Sequence, residues 1–202
     1  MSNFLRNTVF WCIALAVTAT AKADVAAQTN GAERYFGGLS LVAQNGNTVD
    51  LYRDAIGDHV VVIHSFYTNC TSSCPVTMNT LKTLQSKLGD RLGQDARLLS
   101  ISVDPARDTP AVLKAYAQRV QAKHGWLFLT GTQDQVTAAL KRIGQYVDEP
   151  SAHMDLLVAG NARTGLWKKI LGMAPTAQVV ASIMGVVDDA GEPGTQPMAP
   201  TP

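Results

Sequence analysis

The sequence is short of the features that mark several functional classes. Charge of one sign is missing: 17 Lys and Arg stand against 16 Asp and Glu, for a net charge of +1. That balance gives no electrostatic case for nucleic acid or an anionic membrane as a partner. Charged residues are only 16% and hydrophobic ones 46%, which excludes a disordered or fibrous chain and fits one globular domain within 202 residues. No internal repeat is present. Cysteine is scarce, with 3 residues in all, so a scaffold held by many disulfides is excluded.

What is present begins with an N-terminal segment of separate character. Arg6 is followed by an apolar run from Val9 to Ala19 and then by Ala21-Lys22-Ala23. A short positive region, an apolar stretch and a small-x-small site describe a signal peptide, expected over residues 1–23. The run is short for a membrane span. The chain is therefore read as exported and periplasmic, with an uncleaved membrane anchor as the alternative. Removing the segment takes away Cys12 and leaves Cys70 and Cys74. A loop of about five residues is a weak staple, worth roughly 2 kcal/mol by chain entropy. The pair makes more sense as redox or metal chemistry.

Along the rest of the chain, residues 24–37 read as an extended arm. Leu39–Val42 and Val49–Tyr52 form a hairpin about Asn45-Gly46-Asn47. The β-branched run His59–Tyr67 has the pattern of a central buried strand. Pro75–Leu88 is helical, with Val76, Leu81, Leu84 and Leu88 expected on one face. Arg97–Val103 is a strand. Thr109-Pro110 opens a helix as N-cap and first residue, running to about Lys123. Then follow a strand at Trp126–Thr130, a helix at Thr132–Gly144, strands at Asp155–Ala159 and Leu166–Ile170, and a helix at Thr176–Val187. Residues 188–202 read as a disordered tail. Strands alternating with helices require parallel pairs, and the last two strands are close enough for an antiparallel hairpin. The expected fold is α/β and thioredoxin-like: a mixed central sheet flanked by helices, with an N-terminal β-hairpin and a domain over 38–187.

Phe66-Tyr67-Thr68-Asn69-Cys70-Thr71-Ser72-Ser73-Cys74-Pro75 lies where the first central strand meets its helix. A helix N-terminus offers unpaired N–H groups and a positive dipole end, both favourable to thiolate. Soft thiolates select Cu(I), zinc or iron–sulfur clusters. Two are too few for a closed structural zinc site, whereas Cu(I) accepts low coordination with one added donor.

This segment resembles the signature of the Sco/SenC family of thioredoxin-fold copper proteins. Ser102-Val103-Asp104-Pro105-Ala106-Arg107-Asp108-Thr109-Pro110 resembles the family's second motif, and Leu129-Thr130-Gly131-Thr132 the strand-end motif after it. The resemblance spans about Leu39 to Val187. It implies a copper site of two cysteines and one histidine, the histidine preceding a late strand. Of four histidines, His153 holds that place. The family usually has Asp just before it; here Ala152 stands there, the stretch from Gly144 is shorter than usual, and Asp155 is the nearby carboxylate that can orient the ring. His64 reads as a hydrogen-bonded core residue, His59 as solvated, His124 as a helix-end residue, and Met78 as core. Asp104, Arg107 and Asp108 read as a helix cap with a local ion pair, or else as a patch that tunes the site.

The resemblance thus implies a metallochaperone holding copper, as Cu(I) and in its oxidised Cu(II) form, on Cys70, Cys74 and His153. Its partners would be a recipient copper protein, such as a cytochrome c oxidase subunit, and a thiol reductant; a monomer is expected. The alternative role is a thiol–disulfide oxidoreductase in which Cys70 and Cys74 reduce a partner's copper-site disulfide. A peroxidase fits poorly, since the CxxxCP spacing is not that of peroxiredoxins.

Overall fold

The computed structural model describes residues 30–71 and 74–191. The expected signal segment, residues 24–29 of the expected arm and residues 192–202 of the expected tail lie outside the described residues.

The first described segment is a helix, α1 (Asn30–Phe36), and not an extended arm. A small polar stretch of seven residues has little helical stability of its own, so tertiary contacts decide. Phe36 is fully buried and its ring lies 5.3 Å from that of Trp167. The Tyr35 hydroxyl donates to the Arg142 carbonyl at 2.5 Å, and the Arg142 guanidinium donates back to the Tyr35 carbonyl.

Strands β1 (Ser40–Ala43) and β2 (Thr48–Asp50) form the expected hairpin, with Gly46 at φ +86° in its turn. β2 ends two residues early because Asp50 starts a π-helical turn, Leu51–Ile56. Its carboxylate accepts from the Tyr52 and Arg53 N–H groups at 3.1 and 2.8 Å, while Leu51, Ala55 and Ile56 become fully buried.

The central strand β3 (Val60–Phe66) is buried at every position and leads into α2 (Cys74–Leu88). On α2 the buried apolar residues are Met78, Leu81, Leu84 and Leu88, whereas Val76 is 42% exposed. At 100° per residue Val76 lies well off the stripe through Leu81, and Met78 lies on it. β4 (Ala96–Ser102) follows, then α3 (Pro110–Arg119), capped by the Thr109 hydroxyl accepting from Val112 N–H. α3 stops four residues short of Lys123. Gln121 takes φ +58°, and the Ala122 N–H closes onto the Ala117 carbonyl at 2.9 Å, a helix-ending turn. His124 therefore sits exposed in a loop, away from a helix end.

The chain continues through β5 (Trp126–Thr130), α4 (Gln133–Arg142), β6 (Leu156–Asn161), β7 (Leu166–Leu171) and α5 (Thr176–Val187). The sheet has seven strands in the order β2-β1-β5-β4-β3-β6-β7. β3 runs parallel to β4, and β4 to β5; β6 is antiparallel to both β3 and β7. One face packs on α2, α3 and α5 through Val60, Val62 and Phe66, and the other on α1 and α4 through Val61 and Ile63. This is the expected mixed, thioredoxin-like sheet flanked by helices.

His64 lies within β3 at 3% exposure. Its Nδ1–H donates to the Ser65 carbonyl at 3.2 Å, which leaves Nε2 to accept from the Ser100 hydroxyl at 2.7 Å. That hydroxyl in turn accepts from the Trp126 indole N–H at 2.9 Å. The His64 ring, the Ser100 hydroxyl and the Trp126 indole are all satisfied with the imidazole neutral. Burial pushes the His64 pKa from 6.5 down to about 4. The unfolded chain binds this proton from about pH 6.5 downward, the native chain only near 4, so acid favours unfolding across that window. Stability should fall by about 3 kcal/mol from this group as pH drops from 6.5 to 4, with no further loss below. Urea unfolding of wild type and His64→Gln across that range isolates the contribution, because carboxylate titration is common to both.

Candidate metal centre

The centre forms where β3 ends. After Phe66 the chain enters a loop carrying Cys70, and α2 opens at Cys74, so the unpaired N–H groups of its first turn face the same region. The loop is tied down at two points. Cys70 N–H donates to the Tyr67 carbonyl at 3.2 Å. Two residues before Cys70, Thr68 gives both its N–H and its hydroxyl proton to the Asp108 carboxylate, at 3.1 and 2.5 Å. Ser102, the last residue of β4, donates a third bond to that carboxylate at 2.6 Å.

Asp108 is therefore no helix cap. Thr109 has that role, and the Asp104–Arg107 pair is 3.8 Å apart with Arg107 largely exposed, which contributes little. Asp108 is only 1% exposed and clamps the cysteine loop onto the end of β4. Of the two readings of this loop, the patch acting on the site describes Asp108 better.

His153 reaches the centre from the start of the strand that neighbours β3. It follows a single 3-10 turn, Pro150–Ala152, and precedes β6. Its Nδ1–H donates to the Pro150 carbonyl at 3.0 Å, so Nε2 is left unprotonated and lies 3.1 Å from the Cys74 sulfur. The Tyr67 ring stands edge-on to the imidazole, with centroids 5.3 Å apart and planes at 85°. A backbone carbonyl thus does what a neighbouring carboxylate could do, and Ala152 leaves the ring no less oriented. Asp155 does not take that part; its carboxylate accepts from the Thr77 hydroxyl at 3.0 Å.

The sulfurs of Cys70 and Cys74 and a ring nitrogen of His153 all lie within 4.8 Å of one another. Both cysteines are thiols; Cys70 is half-buried, and Cys74 and His153 are buried. Burial pushes the Cys74 thiol well up, the adjoining Cys70 sulfur adds to this, and a hydrogen bond from the Tyr67 backbone N–H works the other way. Cys74 therefore keeps its proton until a cation or a disulfide partner replaces it. Two sulfurs and one imidazole can hold a soft, three-coordinate cation and fall one short of a closed tetrahedral zinc site.

The remaining candidates lie apart. His64 belongs to the core network, Met78 is 4% exposed within the core, and half-buried His59 points Nδ1 at the Ile56 carbonyl, 3.2 Å away. Sequence reasoning overlooked Tyr67 and the Pro150 carbonyl. Tyr67 stood inside the quoted motif and was open to notice; a backbone acceptor leaves no trace in residue identity. Replacing Asp108 by Ala strands three donors, so Asp108→Ala should cost about 2 kcal/mol in urea unfolding, and Asp108→Asn, which keeps one acceptor oxygen, distinctly less.

The chain is 32% identical over 180 residues to protein SenC of Rhodobacter capsulatus, covering 85% of this chain and 79% of SenC. It is 36% identical over 89 residues to mitochondrial SCO1 of Saccharomyces cerevisiae, but that match covers 44% of this chain and only 30% of the yeast protein. The crystal structure of yeast Sco1 with copper bound superposes with a TM-score of 0.61 at 26% identity, over 79% of this chain and 91% of that one. BsSco, a member of the Sco family of cytochrome c oxidase assembly proteins in which a disulfide switch was identified, superposes at 0.60 with 26% identity, over 73% and 90%. The SCO1/SenC family model matches residues 27–164, about two thirds of the sequence, and the chain belongs to the SCO1/SenC family.

Proposed function

We propose that the protein is an exported copper(I) metallochaperone that loads copper onto a respiratory or other exported copper enzyme such as cytochrome c oxidase. The observation that carries this reading is the convergence of three donors, two sulfurs and one imidazole nitrogen, within 4.8 Å. Cys70 and Cys74 bind the ion as thiolates and His153 completes a trigonal set through Nε2. Delivery exchanges these ligands for the recipient's own, and the half-buried Cys70 is the sulfur a recipient reaches first. The copper-bound yeast Sco1 and the Sco family's tie to oxidase assembly support the cargo and the recipient class.

A second reading is thiol–disulfide exchange, favoured by the unequal burial of the two cysteines and by the disulfide switch of BsSco. Here Cys70 attacks a partner disulfide and Cys74 resolves the mixed disulfide, with a thiol reductant restoring the pair. The periplasm is the proposed compartment and a monomer the proposed state. Among the described residues no helix is long and apolar enough to cross a membrane.

Anaerobic Cu(I) titration of the reduced protein against a competing chelator tests the first reading. One tightly bound ion is expected, lost in both Cys70→Ala and Cys74→Ala. His153→Ala should weaken binding at least tenfold, since even an outer-shell partner is worth about 10–100-fold. Binding must displace the Cys74 proton, so affinity should fall as pH falls. A wild-type protein that binds no copper while its thiols still exchange with disulfides would leave the second reading in place of the first.

A further inference from the structure

β3 and β6 part just short of the metal centre. Alternate residues of β3 turn their backbone groups to β6. The even-numbered ones face β4 instead: Val60 N–H donates to the Asp95 carbonyl, and the Phe66 carbonyl accepts from Val103 N–H, both at 2.9 Å. Pairing on β6 runs as far as His64 opposite Leu157. The next rung would pair Ser65 with Leu156, and it is missing. Leu156 N–H turns to the Met154 carbonyl at 2.8 Å, and the Ser65 carbonyl accepts from the His64 ring at 3.2 Å. The Ser65 N–H donates to Oε1 of Gln145 at 2.8 Å.

Gln145 opens the segment that leads from α4 to His153, and it is fully buried. The hydrogen bonds of residues 146–152 are local. The Tyr146 hydroxyl donates to the Asp148 carboxylate, and Ala152 N–H to the Glu149 carbonyl, both at 2.9 Å. Among the described residues, the bond from Ser65 is thus the one hydrogen bond that ties this segment to the sheet ahead of His153. Packing alone does not call for an amide at this place. Nε2 of Gln145 is buried with no partner among the described residues, a cost that leucine would avoid. What the residue supplies is its acceptor oxygen. We propose that Gln145 is a positioning residue of the metal centre: its amide oxygen replaces the missing rung, so that β6 can turn away from β3 while the segment carrying His153 stays fastened to the strand that carries the cysteine loop.

This role rests on Cys70, Cys74 and His153 being the working centre, but its first tests need no copper. Gln145→Leu removes the acceptor and the unpaired donor together, whereas Gln145→Glu keeps an oxygen at the same reach. In reduced, metal-free protein the Ser65 amide should exchange with solvent about fivefold faster in Gln145→Leu, the factor that one net hydrogen bond is worth, and near the wild-type rate in Gln145→Glu. Alkylation of buried Cys74, read by mass spectrometry, should quicken by a similar factor. The His153 ring signals in NMR spectra should move from their wild-type shifts, and Gln145→Glu should restore both readings. Thermal unfolding should change little, since losing the bond is offset by losing the unpaired donor. Gln145→Leu should bind Cu(I) about tenfold more weakly than wild type. Faster Ser65 exchange with His153 signals and Cys74 reactivity unmoved would make Gln145 a residue of the sheet alone and overturn its positioning role. Ser65 exchange at the wild-type rate would overturn it too. If Gln145→Leu does not fold, Gln145→Asn, whose oxygen stops one bond short, is judged by the same readings. If wild type binds copper and Gln145→Leu binds it as tightly with His153 unmoved, this inference fails alone. If wild type binds no copper while His153 and Cys74 still respond, the metallochaperone reading fails and this one stands.

Discussion

The antiparallel pairing of β6 on β3 is the constraint on which the rest of the site depends. Ile63 opposite Val158 and His64 opposite Leu157 bring the end of β3 to the start of β6. Cys70 lies six residues past His64, and His153 four residues before Leu157. Two segments some 80 residues apart in sequence therefore emerge at one end of the sheet. β3 is held in that register from both sides, by β4 as well as β6, and is buried along its whole length. A slip of one residue would turn every side chain of β3 to the opposite face. The hydrophobic pattern that keeps the core together thus also keeps the donors in range.

Much of this was legible in the chain. The β-branched run around Val60–Ile63, the Thr-Pro helix start and the spacing of Leu81, Leu84 and Leu88 are local signals with direct physical causes, and the elements they mark stand within a few residues of expectation. The cysteine pair announced itself by its place between strand and helix. What stayed hidden was tertiary. Nothing local makes Asn30–Phe36 a helix; burial of Phe36 against Trp167 does. Asp108 looked like one more acid in a charged loop, and only the fold shows that three donors converge on it. The Pro150 carbonyl could not be anticipated from side-chain chemistry at all.

The two buried histidines show how one residue type is assigned opposite tasks. In both rings Nδ1–H donates to a backbone carbonyl, Ser65 for His64 and Pro150 for His153, so in both Nε2 is the acceptor. The difference lies in what faces that nitrogen. Nε2 of His64 meets the Ser100 hydroxyl, which has a proton to give and is itself held by Trp126. The lone pair is consumed, the ring has no further chemistry, and burial keeps it neutral. Nε2 of His153 meets the Cys74 sulfur, 3.1 Å away, and a second sulfur lies within 4.8 Å. The Cys74 thiol gives its proton to that nitrogen, so the donors are joined through a proton and not through a fixed hydroxyl network. They gain most from a cation placed among them, which would replace the thiol protons that burial otherwise retains on Cys74. The site is poised for a ligand because the bonds among its three donors run through thiol protons that a cation can displace, whereas the His64 network is closed.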